Sequence, residues 1–153
     1  MFQFFSNIKQ GVSNLIKWRK VIYNDRNFDQ YFLYKILATK LEHMEDFFIN
    51  DAYSANADKE AHKLMIIKNL AKRLAEENYL TNATIEYDKL YKNKELFGFE
   101  PSDNLNFSTL INLGTKHQNN MFDKAYKHSD YMEKQDKDML FNLLKKNIDN
   151  FWD

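Results

Sequence analysis

The sequence predicts an all-α fold, a compact bundle of five to seven helices forming a single domain over residues 1–153, and three observations carry that expectation. The chain holds only three glycines and one proline, whereas sheet proteins need turns at short intervals and draw on those residues for them. Apolar residues recur at the three-and-four spacing of amphipathic helices along most of the chain. The length, 153 residues with 44% hydrophobic and 16% aromatic content, suits one good core and is short for two.

The elements follow in order. Residues 2–17 place Phe2, Phe5, Ile8, Val12, Leu15 and Ile16 on one helical face, with Gly11 a mild weakness inside it. A second helix is expected from about Asp25 to Asn50, opened by cap-type residues among Asn24, Asp25 and Asn27. A third begins near Asp58, aligns Leu64, Ile67, Leu70, Ala71 and Leu74, and reaches at least Tyr79; TNATIEYDKLYKN continues as a shorter helix after a break. The segment NKELFGFEPSDNLN, with Gly98 and Pro101, is the one clear loop, a hinge between halves rather than a domain linker. Beyond it, Asn106 or Ser108 caps a helix through Leu110, Leu113 and Met121, and a last helix carries Met139, Leu140, Leu143, Leu144 and Ile148 towards Phe151 and Trp152. Between Met121 and Asp136 the polar composition fits a solvated helix or a bend equally.

Composition narrows the function classes. Lys and Arg balance Asp and Glu at 22 each, so no net field draws the chain to DNA, RNA or an anionic membrane, and general nucleic-acid binding is not expected. Cysteine is absent, which removes disulfides, thiol nucleophiles and Cys-ligated metal centres. The opening MFQFFSNIKQGVSNLIKW has no basic region ahead of its apolar residues and no continuous apolar run. It fits neither a secretory signal nor a spanning helix, so the expected location is the cytoplasm, with no membrane partner.

One stretch raises a question of chemistry. In NDRNFDQYFLYKILATKLEHM, residues 24–44, Phe28, Phe32, Leu33, Ile36, Leu37, Leu41 and Met44 span a wide apolar arc, and Lys40 projects near its middle. Asp29 falls within about 20° of Lys40 on that projection, but the eleven intervening steps rise roughly 16 Å, so the two cannot neutralise each other along one helix. Each needs a partner elsewhere, because an unpaired buried charge costs several kcal/mol. Structural ion pairing, helix capping by Asp29 and a solvent-seeking Lys40 are one reading. The other gathers Asp25, Arg26, Asp29, Lys40 and His43 in a polar interhelical cleft, with Trp18 or Tyr31 stacking on a ligand. Arg73, one of only three arginines, sits on a stripe with His62, Ile66, Asn69 and Glu77 and is the remaining candidate contact, for a carboxylate or a phosphate.

The same residues carry a resemblance. Trp18, then Asp25-Arg26-Asn27-Phe28-Asp29, then Leu33, Ile36, Leu37, Lys40-Leu41 and Met44, with Phe151-Trp152-Asp153 at the end, resembles a group of small helical proteins of tailed bacteriophages whose pattern is roughly W, D-R-D-W-D, L-L, K-L-x-x-M and a terminal W-W-D. Asn27 and Phe28 depart from that pattern, as does a longer gap after Trp18. The resemblance covers about a quarter of the chain and implies a phage origin and a host-cytoplasmic setting.

Enzyme motifs are missing. The histidines His43, His62, His117 and His128 form neither Glu-x-x-His nor H-E-x-x-H, so no metal or other cofactor is expected. Glu42 and Glu45 have the E-x-x-E spacing of helical nucleotide pyrophosphohydrolases, yet Asp58 and Glu60 do not supply the matching pair, and the two glutamates read as a solvated face. The chain therefore reads as a non-enzyme that sequesters a small, phosphorylated or nucleotide-derived host signalling ligand. The competing class is a protein-interaction module that inhibits or recruits a host protein through exposed aromatics. Homo-oligomerisation is compatible with several amphipathic faces, although no heptad run sets a copy number.

Overall fold

The computed structural model describes residues 2–25, 28–29, 31–50, 56–91, 96–102 and 107–152, the side chains of residues 2, 3, 150 and 152 excepted. The fold is all-α: helices α1 (Phe2–Tyr23), α2 (Tyr31–Asn50), α3 (Ala57–Glu76), α4 (Tyr79–Leu90) and α5 (Lys116–Asn147) are joined by one antiparallel hairpin, β1 (Phe97–Pro101) and β2 (Ser108–Asn112), and followed by a 3-10 turn, Ile148–Trp152. The chain divides into two compact units, Met1–Glu76 with Met139–Asp153, and Glu77–Asp138.

The first unit is built on the α2/α3 pair. Ala57, Ala61, Leu64, Ile67, Leu70, Ala71 and Leu74 are buried, so the core face of α3 is the stripe its spacing predicts. Leu140 and Phe151 are also fully buried in this unit. Each large side chain taken out of water contributes about 1.5–3 kcal/mol, and the alanines let the helix axes approach closely. Helix α3 stops at Glu76 rather than at Tyr79 because Glu77 takes a left-handed backbone conformation, φ 51°.

Helix α2 starts six residues later than its composition suggests. Asp29 lies ahead of it: its side-chain Oδ1 accepts the Tyr31 N–H at 2.9 Å and its carbonyl accepts the Phe32 N–H at 3.1 Å. The turn satisfies amides that a helix end leaves orphaned, and an acidic group belongs at that positive pole. Phe28, expected in the apolar arc, is therefore outside the helix and 89% exposed. Helix α1 in turn runs past Ile16 to Tyr23, where the Asn24 side-chain amide donates to the Lys20 carbonyl at 2.7 Å and closes the last turn.

In the second unit the segment expected as loop and helix start is the hairpin. Phe97 pairs with Asn112, Phe99 with Leu110 and Pro101 with Ser108. Thr109, Ile111 and the three phenylalanines nearby favour a pleated strand, and pairing overrides the helical spacing of Leu110, Leu113 and Met121. The helix cap is not Asn106, which lies outside the described residues, nor Ser108, which is in β2. It is a reciprocal box: Gln118 N–H donates to Thr115 Oγ1 at 3.3 Å while Thr115 N–H donates to Gln118 Oε1 at 2.8 Å. Gly114 precedes this box in a space where a Cβ would come within 2.4 Å of Leu96 Cδ2, so any larger residue there has to displace the buried Leu96 side chain. From Lys116 the helix runs unbroken to Asn147, which makes residues 121–136 a solvated helix and merges the two C-terminal helices into one. Tyr87 packs against Tyr91 and Phe122, and Phe97 against Phe122, forming the aromatic centre of this unit.

Candidate functional site

The charged residues of α2 sort by the direction in which they leave the helix. Leu41, Ala38 and Glu45 are buried on the side that meets α3, whereas His43 turns to α1, its ring edge-on to Trp18 at 5.2 Å between centroids. Those two docking faces lie roughly 160–180° apart on the helix. Between them runs a strip that neither neighbour covers, and Leu33, Lys40 and Phe47 occupy it, all exposed at seven-residue intervals. Lys40 sits in the middle of the apolar arc on projection because that arc is shared between two partners. Its ammonium is in solvent.

The other candidates separate. Trp18 is half-buried and in contact with His43; burial of that ring, with the Lys17 charge nearby, holds the His43 imidazole below its ordinary pKa. Asp29 and Tyr31 meet in the capping turn at the start of α2, and the Tyr31 ring lies 6.4 Å from that of Tyr34. Asp25 is exposed past the end of α1, Arg26 lies outside the described residues, and Arg73 is exposed on the outer face of α3 together with His62, Ile66 and Asn69. Glu77, expected one turn beyond Arg73 on the same helix, is past the helix end.

Glu42 and Glu45 do not form a solvated face. Glu45 is buried and paired with Lys68, and Glu42 pairs with Lys72 at 2.9 Å, two rungs of a ladder between the antiparallel α2 and α3. The hydrogen bond from Lys72 holds the Glu42 carboxyl below its usual range. Opposite the E-x-x-E pair the facing helix thus offers two ammonium groups where a magnesium site would need carboxylates. Among the described residues no three His, Asp or Glu side chains gather as a metal site requires. His117 and His128 share one helix and are both exposed.

Two features escape the sequence reading altogether. An open pocket of about 540 Å³ lies at the C-terminal turns of α1, lined by Ile16, Arg19, Lys20, Tyr23 and Asn24. It combines two cations, a phenol and a side-chain amide. The second is the hairpin. Its base is held by Phe97 against Phe122 and by the Leu113 N–H donating to the Leu96 carbonyl at 2.8 Å, while Phe99, Phe107 and Leu110 remain exposed. Phe99 and Leu110 are a cross-strand pair, so their side chains share one face of the ribbon. Among the described residues no helix is long and apolar enough to cross a membrane. Compared with family models, characterised proteins and solved structures, the chain matches none.

Proposed function

We propose that this protein is an interaction module that presents the β1–β2 ribbon to another protein, and that in the phage setting its sequence resembles it inhibits or recruits a host protein. The observation that supports this reading is the exposure of Phe99, 75%, and of its cross-strand partner Leu110, with Phe107 also exposed, on a ribbon anchored, among the described residues, at its base. A two-stranded ribbon spends folding free energy to hold two large apolar side chains in water, and a partner that buries them returns it. Each strand also keeps an outer edge to which an added strand can bond. Phe99→Asp and Leu110→Asp, compared with the parent chain in affinity capture from a bacterial lysate, test the reading. A stoichiometric partner retained by the parent and lost by both variants, with unchanged helical circular dichroism, supports it; identical capture by all three sinks it.

A second reading keeps the small anionic or nucleotide-like ligand and moves it. The set Asp25, Arg26, Asp29, Lys40, His43 and Arg73 is not what favours it; the pocket at Arg19, Lys20 and Tyr23 does. Guanidinium and ammonium groups beside a phenol ring suit a phosphate carried by a base that can stack. Isothermal titration with mono- and cyclic nucleotides, with Arg19→Ala as control, decides it, and absence of heat with every nucleotide removes sequestration as the function.

A further inference from the structure

Helix α1 wears its apolar stripe on the outside. Phe4, Phe5, Ile8, Val12, Leu15, Ile16 and Ile22 are 48–68% exposed, whereas the helix is held to its own unit by Val21, which is buried, and by Trp18 against His43. Those two anchors lie roughly 90–150° around the helix from the middle of the stripe. The face that holds α1 in place is therefore separate from the face that is open, and both can be occupied at once.

We propose that the open face of α1 is a self-association surface, occupied by α1 of a second copy packed antiparallel. Spacing and area select that occupant. The first is spacing: Phe5, Ile8, Val12, Leu15, Arg19 and Ile22 follow one another at intervals of three and four, the pattern of a helix–helix seam. The second is area. Phe5, Ile8, Val12, Leu15 and Ile22 are 48–68% exposed, on the order of 600 Å² per copy, so a pair would cover at most about 1,200 Å² of them, the lower end of the range of about 1,200–2,000 Å² for stable interfaces.

Charge then sets the direction. Helix α1 carries Lys9, Lys17, Arg19 and Lys20 and no acidic residue. A parallel pair would lay the Lys17–Lys20 cluster beside its copy at the separation of two packed helices. An antiparallel pair moves the two clusters about 15 Å apart along the axis, nearly two screening lengths at physiological salt, and opposes the helix dipoles favourably. The numbering supports the same register, because Phe5 then meets Ile22, Ile8 meets Arg19 and Val12 meets Leu15 in a two-fold arrangement in which every rung is repeated. Arg19, the one charge in the seam, lies over Ile8 of the other copy with its guanidinium reaching water past the stem. Lys9 comes level with the other copy's cluster from the flank of the seam, where its head stays solvated.

The proposal goes beyond the ribbon reading and does not depend on it. Its test is the mass of the full chain by light scattering and sedimentation equilibrium over a concentration series. The parent is expected as a dimer; Leu15→Asp and Val12→Asp, both at exposed positions and so without loss of helical circular dichroism, are expected as monomers. Arg19→Leu, which completes the apolar seam, is expected to tighten dimerisation at least tenfold. Because the chain has no cysteine, Lys20→Cys accepts a single spin label, and antiparallel packing places the two labels about 20 Å or more apart, whereas a parallel pair brings them together. A parent that stays monomeric at every concentration overturns the proposal, as does a monomer that binds phospholipid vesicles through this face. A dimer unaffected by Leu15→Asp overturns the assignment to α1, and close labels overturn the antiparallel order. None of these outcomes alters capture by Phe99, so the ribbon reading stands or falls separately.

Discussion

Lys68 and Glu45 show how a single partner decides what a buried charge costs. Both are largely enclosed between α2 and α3, and each has the other as its counter-charge. Lys68→Met leaves the Glu45 carboxylate unpaired in that space and is expected to destabilise the protein by about 3 kcal/mol in urea unfolding, while Glu45→Met with Lys68→Met together is expected near or above the parent. Equal losses for the single and double variants would show the pair to be a net stabiliser instead. Two tyrosines in the second unit make the same point with hydroxyls. Tyr79 donates to the buried Asp136 carboxylate at 2.6 Å, so Tyr79→Phe is expected to cost about 1–3 kcal/mol. The Tyr87 hydroxyl is buried without a hydrogen-bond partner among the described residues, and that burial raises its pKa. Tyr87→Phe removes an unsatisfied group and is expected to leave stability equal or improved.

Titration at the α1/α2 contact gives a third expectation. His43 is held below its ordinary pKa chiefly by burial, so the unfolded chain binds the proton more tightly than the folded one. Stability from this group is complete above the unfolded pKa near 6.5 and falls as pH drops towards the lowered folded value; Glu42, also lowered, extends the loss to more acid conditions. Melting temperature should decline from pH 7 to 5.5, and His43→Gln should flatten that segment of the curve. A proton titration by NMR that puts His43 at or above 6.5 would contradict the burial argument.

At the scale of elements, caps and turns outrank periodicity. The chain contains the four-residue pattern TKHQ, and the Thr115–Gln118 box it encodes starts α5. The competing start at Ser108 rests on apolar spacing alone, and strand pairing takes that residue first. Thr115→Ala should lower stability by about 1 kcal/mol and expose the first amides of α5 to exchange, while leaving α3 amides unchanged. The same lesson applies to α2. Asp29 is charged within an apparent helix because it is the residue that starts the helix, a role that a wheel projection cannot display. The capping reading of Asp29 and the solvent-seeking reading of Lys40 were both legible in the sequence; choosing them over a cleft required knowing that α1 and α3 flank α2 on nearly opposite sides.

For the whole molecule, charge and exposed apolar surface act together. The formal net charge is zero near pH 7 with histidine neutral, while the stripe of α1 and the ribbon residues Phe99, Phe107 and Leu110 keep large apolar side chains in water. Repulsion between copies is then at its weakest where the apolar faces are all available. Solubility should pass through a minimum near neutral pH and recover on either side, as read from precipitant titrations; Leu15→Asp should raise that minimum, and a flat profile would argue that the faces are already covered.

What the sequence by itself determined is the class and most of the helices: scarce Gly and Pro, and an α3 core stripe that is buried residue for residue. These are local properties, readable wherever one spacing meets one environment. Only the tertiary structure decided the rest. The α2 arc is divided between two neighbours, the E-x-x-E pair meets two lysines, β1 and β2 pair with each other, and α1 keeps its apolar stripe outside. The physical reason is common to all four: amphipathicity shows that a face will be covered, but the identity of what covers it depends on which element, distant in sequence, arrives first.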